Sequence, residues 1–427
     1  MMEKLPIAVC VVIAAAALGA DQPAQSAAIP TEIALGQAVE LALARNPALM
    51  AARNGIEMAE ADAVSAGLRP NPEISVESES YPYFRSDPGP FFSNQEITAR
   101  FDYEIQTKRR LRLGTEAAKL FVQREAAVFN DVARRLRQDV QEAFYGVLLA
   151  ESNRALAEAI LDQTDQVIAL NRTRFAEGEI SGLELTRIEV ERLRFADDLF
   201  QVRLELRNAK AALLALLNAP DLGLDLQVQG DLNSIPDLGM PVDATGADAL
   251  RMAIEMRPDL QAAVAEVESS VARNRFQRAI SAPNITVGGG YKRDGPDHSL
   301  VAEVSVPLTI FDRNQGGILR SEAEMRQAEN LFAAARNQVA LEVRQAYNAV
   351  EVTRERVEYL QSQQVKQAEE AVAVTLQAYR LGGAPLMNYL DAQRRYRDTM
   401  RILNQALFDE RISLFALAAA IGGGQQR

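Results

Sequence analysis

The chain has 427 residues, of which 48% are hydrophobic and 24% are charged, so its composition is typical of a folded protein rather than a disordered one. Its formal net charge is -12 at pH 7. This charge excludes nucleic acid as a partner, because phosphate contacts need clustered Lys and Arg. The length allows one large domain or two to three ordinary ones.

The N-terminus has the pattern of an export signal, which we assign to residues 1–26. Lys4 supplies the positive charge, and an apolar stretch at 7–18 precedes a run of small residues. Cleavage after Ala20 and cleavage after Ser26 both fit this pattern. The apolar stretch is short for a membrane anchor, which is the alternative interpretation.

An internal repeat divides the rest of the chain. The sequence AVELALARNPAL is broken as a helix at Pro47, and ALRMAIEMRPDL is broken in the same way at Pro258. The stretch between the two copies is rich in Gly, Pro and Asp. In chain order, the predicted domains are a first repeat at 27–218, a linker at 219–247, a second repeat at 248–421 and a tail at 422–427.

Four segments alternate between apolar and polar residues with a period of two, which predicts half-buried strands. They form two predicted hairpins, at about 73–107 and about 284–310, and each hairpin contains a turn-rich loop. One of these loops spans 81–93 and the other spans 292–298. The apolar positions include Ile74, Val76, Ile97, Ala99, Phe101, Tyr103, Val287, Tyr291, Leu300, Ala302 and Val304.

The remaining segments predict helices of unusual length. From Gly114 to about Arg174 there is no proline and one interior glycine, which predicts a helix of about 90 Å. Glycine-containing breaks at 175–185 and 379–389 interrupt the two longest helical patterns. Apolar seams with three-four spacing predict coiled-coil packing of these helices on each other. The seam residues include Leu136, Val140, Val147, Leu199, Val202, Leu206, Leu213, Val339, Val343, Val350, Val357 and Leu360.

Two hairpins of alternating strands, each flanked by long coiled-coil helices and repeated in tandem behind an export signal, resemble the TolC family of outer-membrane factors. The resemblance runs from about Leu35 to Ile421. Two short motifs are similar to the heavy-metal-efflux, CzcC-like branch of this family. They are GLRPNPE at Gly67 to Glu73 and NPAL at Asn46 to Leu49.

The resemblance implies a mostly α fold with a β-barrel contribution. In this family, long coiled-coil α-helical hairpins form a periplasmic tube, and three protomers each give four transmembrane strands to one trimeric α/β barrel. The sequence agrees, since no segment after the signal is apolar enough for a transmembrane helix, and only a closed barrel could then span a membrane. The apolar strand faces would meet outer-membrane lipid, with Phe101, Tyr103 and Tyr291 as interface aromatics.

The polar strand faces would line water inside this barrel. From the strands alone, a soluble sandwich with solvated polar faces is the alternative. The predicted lining residues are Glu73, Glu77, Asp102, Glu104 and Glu303.

The two glycine-containing breaks match the turns at the family's periplasmic tip, where the inner helices narrow the tube. Asn388 and Asp391 fall where the family often places a pair of acids, although this sequence has an amide at Asn388. Glu184 and Tyr379 fall at positions that often join neighbouring helices in the closed state. Asp391 could alternatively be an ordinary solvated residue in a first helical turn.

The function implied by the resemblance is a passive exit duct in the outer membrane that extends into the periplasm. It would act with a periplasmic adaptor (membrane fusion protein) and an inner-membrane RND-type pump, carrying small toxic solutes with heavy-metal cations as one candidate. Two alternatives stay open. One is type I protein secretion by the same fold, and the other is a structural coiled-coil protein, which would not need two repeated strand hairpins.

The sequence offers no catalytic constellation, and we predict neither enzymatic activity nor a cofactor. His298 is the only histidine, and the turn that contains it shows no Ser-His-Asp or Cys-His arrangement. Cys10 lies inside the export signal, so the mature chain has no thiol and lacks the soft ligands of most metal sites. The glycines at 288–290 lie in a strand pattern and lack the Lys and Ser/Thr of a phosphate-binding loop.

Overall fold

The structure is a computed structural model that describes residues 30–79, 95–219, 225–235 and 246–423. The predicted export signal at 1–26, the predicted loop at 81–93 and residues 424–427 of the tail lie outside the described residues, as does part of the linker. Among the described residues, no helix is both long enough and apolar enough to cross a membrane.

Helices make up most of the chain, and the prediction of a mostly α fold is confirmed. The first half contains β1 (Glu32–Ala34), α1 (Leu35–Arg45), α2 (Pro47–Gly67), β2 (Glu73–Glu79), β3 (Glu96–Ile105), α3 (Arg110–Ala176) and α4 (Gly182–Leu216). The second half contains β4 (Gln227–Gln229), α5 (Gly246–Met256), α6 (Pro258–Ile280), β5 (Ile285–Asp294), β6 (Asp297–Ser305), α7 (Gln315–Tyr359), α8 (Lys366–Arg380) and α9 (Leu386–Ile421).

The longest helix, α3, has 67 residues and is therefore about 100 Å long. Its predicted seam is buried, since Val140 and Val147 are both 0% exposed. They belong to one apolar cluster with Leu206 and Leu213 from the seam of α4 and with Val357 from α7. The seam predictions on these three helices are confirmed, and the long helices bury their apolar stripes against each other.

Helices α7 and α8 are parts of one continuous helix that contains a π-helical turn at Leu360–Val365. The sequence pattern predicts the seam up to Leu360 but not this turn. A π-turn holds one residue more than an α-turn. The five-residue step from Leu360 to Val365 therefore keeps both side chains on the same apolar cluster.

The strands β2, β3, β5 and β6 form one antiparallel sheet in that order. Its register puts the predicted apolar positions of neighbouring strands opposite each other. One such row across the sheet consists of Ile74, Phe101, Gly289 and Ala302. The next row consists of Val76, Ala99, Tyr291 and Leu300. The predicted alternation is confirmed, because these rows share one face and the polar residues share the other.

In the first repeat, the residue before the proline joins two helix ends. The Asn46 side chain accepts a hydrogen bond from the Ala48 N–H at 2.9 Å and so caps the start of α2. Its amide also donates to the Leu216 carbonyl at 3.2 Å, at the end of α4. These hydrogen bonds therefore hold the break between α1 and α2 against the end of α4, the last helix of the first repeat.

In the second repeat, Arg257 takes the same place. Its Nη1 donates to the Ala420 carbonyl at 3.3 Å, near the end of α9, and its side chain pairs with Asp259 at 2.5 Å and Glu342 at 2.7 Å. Arg257 is only 1% exposed. The neutral hydrogen bonds of Asn46 in the first repeat thus correspond to the ion pairs of the buried Arg257 in the second.

Candidate functional site

The five predicted lining residues lie on one face of the four-stranded sheet. Glu73 is opposite Asp102, Asp102 is opposite Gly288, and Gly288 is opposite Glu303, so three carboxylates share one row across the strands. Glu104 lies two residues from Asp102 on the same strand and therefore faces the same way. By the same periodicity, Glu77 extends the acidic face towards the end of β2.

Several of these carboxylates have partners within the sheet. Arg100 pairs with Glu303 and lies 3.4 Å from Asp102. Glu104 accepts a hydrogen bond from the Asn284 amide. Further towards the β5–β6 turn, Lys292 pairs with Glu96 on the same face. The polar face is thus rich in acidic side chains, and the basic side chains of Arg100 and Lys292 lie among them.

The opposite face of the sheet is apolar and uncovered in the protomer. Ile74 is 76% exposed, Leu300 is 88% exposed and Val304 is 71% exposed. The two outer strands, β2 and β6, each have one edge that is unpaired within the described chain. One protomer therefore presents an apolar surface and two open strand edges.

At the far end of the long helices, two turns carry the predicted constriction residues. The α3–α4 turn contains Gly178 with a φ of 79°, and the α8–α9 turn contains Gly382 with a φ of 74°. A positive φ of this size is easily adopted only by glycine, which explains these residues at both turns. The turns leave α3, α4, α8 and α9 close together, around an apolar cluster that includes Ile188 and Leu390.

Tyr379 joins α8 to α3. Its ring is buried, its hydroxyl donates a hydrogen bond to Asn171 Oδ1, and the Arg174 guanidinium lies 5.6 Å from the ring centroid. Burial raises the pKa of the Tyr379 phenol, and the negative charge of Glu184 raises it further. Tyr379 therefore stays a neutral donor at physiological pH, and Glu184 is half-buried within electrostatic reach of it.

Asp391 and Asn388 lie on the exposed side of the first turns of α9. The Asp391 side chain is 55% exposed, and its carboxylate is 3.1 Å from Nη1 of Arg394. Asn388 is one helical turn before Asp391, so both side chains lie along one strip of the helix surface. The structure thus brings a carboxylate, an amide and a cation together at this end of the protomer.

Sequence reasoning missed the main partner of Arg394, which is Glu191 on α4. Arg394 donates to both Glu191 oxygens at 2.6 Å, and Glu191 is 4% exposed. The hydrogen bonds from Arg394 hold the pKa of Glu191 below its ordinary value, although burial opposes them. The pair is therefore a fully charged link between the two helical hairpins, in which Glu191 is buried and Arg394 is partly exposed.

This link belongs to a series along α4 and α9. Acids recur every seven residues on α4, the spacing that places them on one helix face, and each meets an arginine of α9. This spacing is a signal that the sequence contained. The pairs are Glu191 with Arg394 at 2.6 Å, Asp198 with Arg397 at 2.6 Å and Glu205 with Arg401 at 3.9 Å.

Neutral amides join α3 to α9 in the same region. Gln393 donates to Gln163 at 3.0 Å, and Asn404 donates to Asn153 at 2.9 Å. Gln393 is 0% exposed. Polar pairs in a coiled-coil seam fix the register at a cost in stability. These two polar pairs therefore help to fix the alignment of α3 against α9.

The chain matches the family model described as "Outer membrane efflux protein" over residues 38–219 and 249–423. It is 26% identical over 366 residues to the cobalt-zinc-cadmium resistance protein CzcC of Cupriavidus metallidurans, covering 85% of this chain and 83% of that protein. It is 25% identical over 418 residues to the pyoverdine export outer membrane protein OpmQ of Pseudomonas putida, covering 92% of this chain and 86% of OpmQ.

Solved structures give the same fold. The outer-membrane channel OprN superposes on this chain with a TM-score of 0.78 at 19% sequence identity, covering 92% of this chain and 91% of OprN. At this identity the likeness concerns the fold alone. Nearly the whole chain takes part in it.

Proposed function

Because the chain belongs to the outer membrane efflux protein family, we propose that it is the passive exit duct of an export system, conducting small toxic solutes from the periplasm to the exterior. Heavy-metal cations are the cargo class we favour, since the chain is similar to a cobalt-zinc-cadmium resistance protein along 85% of its length. A periplasmic adaptor and an inner-membrane RND-type pump would load the duct.

The observation that supports this proposal most directly is the two-faced sheet. Its apolar face is suited to lipid, and its acidic face is suited to water and cations. A single protomer cannot stay in lipid with this sheet, because the free edges of β2 and β6 would leave backbone N–H and C=O groups unpaired. Three protomers would close a shared barrel in which β6 of one copy pairs with β2 of the next.

The purified protein is therefore expected to be an obligate homotrimer in detergent. Light scattering coupled to size exclusion should give a protein mass three times that of the single chain. Dilution should leave this mass unchanged, since separation would expose strand edges. A monodisperse monomer would contradict both the barrel and the proposed duct.

At the opposite end, the helical turns would form the gate. Around a threefold axis, Asp391 of each copy would approach its two equivalents in a narrow aqueous throat and favour cations over anions. Arg394 would moderate the repulsion between these carboxylates, because it lies 3.1 Å from Asp391. Opening would require the ends of the helices to separate where Tyr379 and Glu191 now hold them together.

Single-channel recording in planar bilayers tests this gate. Asp391→Ala is expected to weaken cation selectivity and the block by multivalent cations. The double substitution Glu184→Ala with Tyr379→Phe is expected to raise the open conductance, because it removes a hydrogen-bond donor and a charge from the closed contact. Glu158→Ala is a matched control, since it removes an exposed α3–α4 pair away from the turn. Unchanged conductance, selectivity and block in both test proteins would place the constriction elsewhere.

A further inference from the structure

Two glycines open a gap on the polar face of β5. A Cβ atom at Gly288 would overlap Asp102 Oδ1, and a Cβ atom at Gly290 would overlap the Ala99 carbonyl oxygen and lie 3.0 Å from Cα and Cγ of Arg100. Real Cβ atoms rarely come this close to other atoms. The missing side chains therefore allow the backbone of β3 at Ala99 and the side chains of Asp102 and Arg100 to lie close to β5.

Arg100 uses this gap to reach a strand that is not its neighbour. It starts from β3, crosses β5 and pairs with Glu303 on β6, while staying 3.4 Å from Asp102. Its side chain is 30% exposed, that of Asp102 is 18% exposed and that of Glu303 is 49% exposed. One guanidinium thus stands between two carboxylates, on the face that meets water in the proposed duct.

We propose that Arg100 keeps Asp102 and Glu303 from tightly binding the cations that the duct carries. The inference rests on the proposed function, since it takes the polar face to be the lining of the duct. Carboxylate oxygens with waters are the ligands that hard divalent cations prefer. A conducting path must bind its ions weakly enough to release them.

Arginine is suited to this role for two reasons. Its guanidinium is always charged, so the two acids keep a cationic partner at any physiological pH. Its planar group has five donors, which lets one side chain serve both Asp102 and Glu303. Gly288 leaves room for the Asp102 carboxylate, and Gly290 leaves room for the β3 backbone and for Cγ of Arg100.

Calcium binding to the purified, assembled protein tests the proposal. Ca²⁺ is a suitable probe because it favours oxygen ligands and does not select His298. Arg100→Gln is expected to bind Ca²⁺ on the order of tenfold more tightly than wild type in equilibrium dialysis, because a cation beside the two carboxylates is lost. Arg100→Lys, which keeps the charge, is expected to bind Ca²⁺ about as weakly as wild type.

The double variant Arg100→Gln with Glu303→Gln tests whether Glu303 takes part in Ca²⁺ binding. It is expected to lose the gain in Ca²⁺ affinity that Arg100→Gln shows. An equal gain in the single and double variants would overturn the proposal, as would no gain in an assembled Arg100→Gln protein. If Arg100→Gln does not assemble, Arg100→Thr provides the same comparison with a residue that strands favour.

Single-channel recording then tests whether these acids lie on the conducting path. Ca²⁺ is expected to block the Arg100→Gln channel at about tenfold lower concentration than wild type, matching the gain in binding. Tighter binding without stronger block would overturn the role in conduction. A wild-type protein that conducts no ions would refute the proposed duct itself and would leave the dialysis result unaffected.

Discussion

Replacing Val304 or Phe101 with arginine is expected to prevent stable assembly of the protein in the outer membrane. Both side chains lie on the apolar face of the sheet, where they are 71% and 51% exposed in the protomer. An arginine that faces lipid costs about 2–4 kcal/mol at the midplane of the bilayer and less towards its surfaces, so we expect the larger loss from Phe101→Arg. A closed trimer would carry three such residues. The measurement is the amount of folded trimer recovered from isolated outer membranes.

Residues on the other face of the same strand provide matched controls. Ser305 is next to Val304 but shares the polar face with Glu303, so Ser305→Arg should assemble at the wild-type level. Glu303→Gln should also assemble, since it changes a charge without presenting it to lipid. Equal losses from Val304→Arg and Ser305→Arg would show that the two faces of the sheet are assigned wrongly.

Replacing Arg257 with methionine is expected to lower the stability of the folded protein by about 3–5 kcal/mol. The substitution keeps much of the side-chain volume but leaves Asp259 and Glu342 without the cation that now contacts both. It also removes the donor to the Ala420 carbonyl. Thermal unfolding of the purified protein, followed by circular dichroism, should show a lower midpoint. An unchanged midpoint would mean that these contacts of Arg257 do not stabilise the fold.

Arg251 supplies the control for this comparison. It lies on the preceding helix, and its side chain is 70% exposed in a pair with Asp248 at 3.0 Å. Exposed pairs of this kind contribute about 0–1 kcal/mol. Arg251→Met should therefore leave the unfolding midpoint close to that of wild type.

The contacts of Arg257 with Asp259 and Glu342 also make the stability of the folded protein depend on pH. Burial alone would raise the pKa of Asp259 and of Glu342, but hydrogen bonds and the charge of Arg257 outweigh it, and both pKa values lie below their ordinary values. The folded protein therefore binds these protons less readily than the unfolded chain. The stabilisation is present above about pH 5 and is lost as the pH falls through about 4 towards the folded pKa values. Arg257→Met should lose less stability than wild type between pH 7 and pH 4.

The parts of the fold that follow from local periodicity could be predicted from the sequence. Alternation with a period of two identified the apolar and polar faces of the strands, because a strand turns successive side chains to opposite faces. Three-four spacing identified the buried sides of the helices, because residues three and four apart lie on the same helix face. Val140 and Val343 on these faces are 0% and 2% exposed. In both cases the signal lies within a few residues of the position it describes.

Pairings between distant segments could not be predicted in this way. Arg394 and Glu191 are separated by 203 positions, as are Arg100 and Glu303. With 46 basic and 58 acidic residues in the chain, composition leaves many partners open for each charge. The seven-residue recurrence of acids on α4 would have suggested the first pair. The second depends on glycines in a third strand, whose effect appears only when the sheet is assembled.

The predicted constriction residues were matched through a resemblance, and their contacts became known only from the structure. The sequence indicated Tyr379 as a residue that joins helices, but its acceptor, Asn171, lies 208 positions away. Asp391 was likewise matched by its position, and the structure places Arg394 3.1 Å from its carboxylate. The spacing of acids on α4 does not reveal that Glu191 is buried, because burial of a charged residue depends on how whole helices pack.

The π-helical turn allows the continuous α7–α8 helix to lose one residue without disruption, whereas α3 would be disrupted by the same loss. Deleting one residue inside α3 would rotate everything beyond it by about 100° and turn its seam residues away from their partners. Within Leu360–Val365, the same deletion would convert the π-turn into ordinary α-helix and leave the seam in phase on both sides. Single-residue insertions and deletions within the long helices of related chains should therefore occur mainly near the π-helical turn of the second repeat. They should be rare in the long helices of the first repeat.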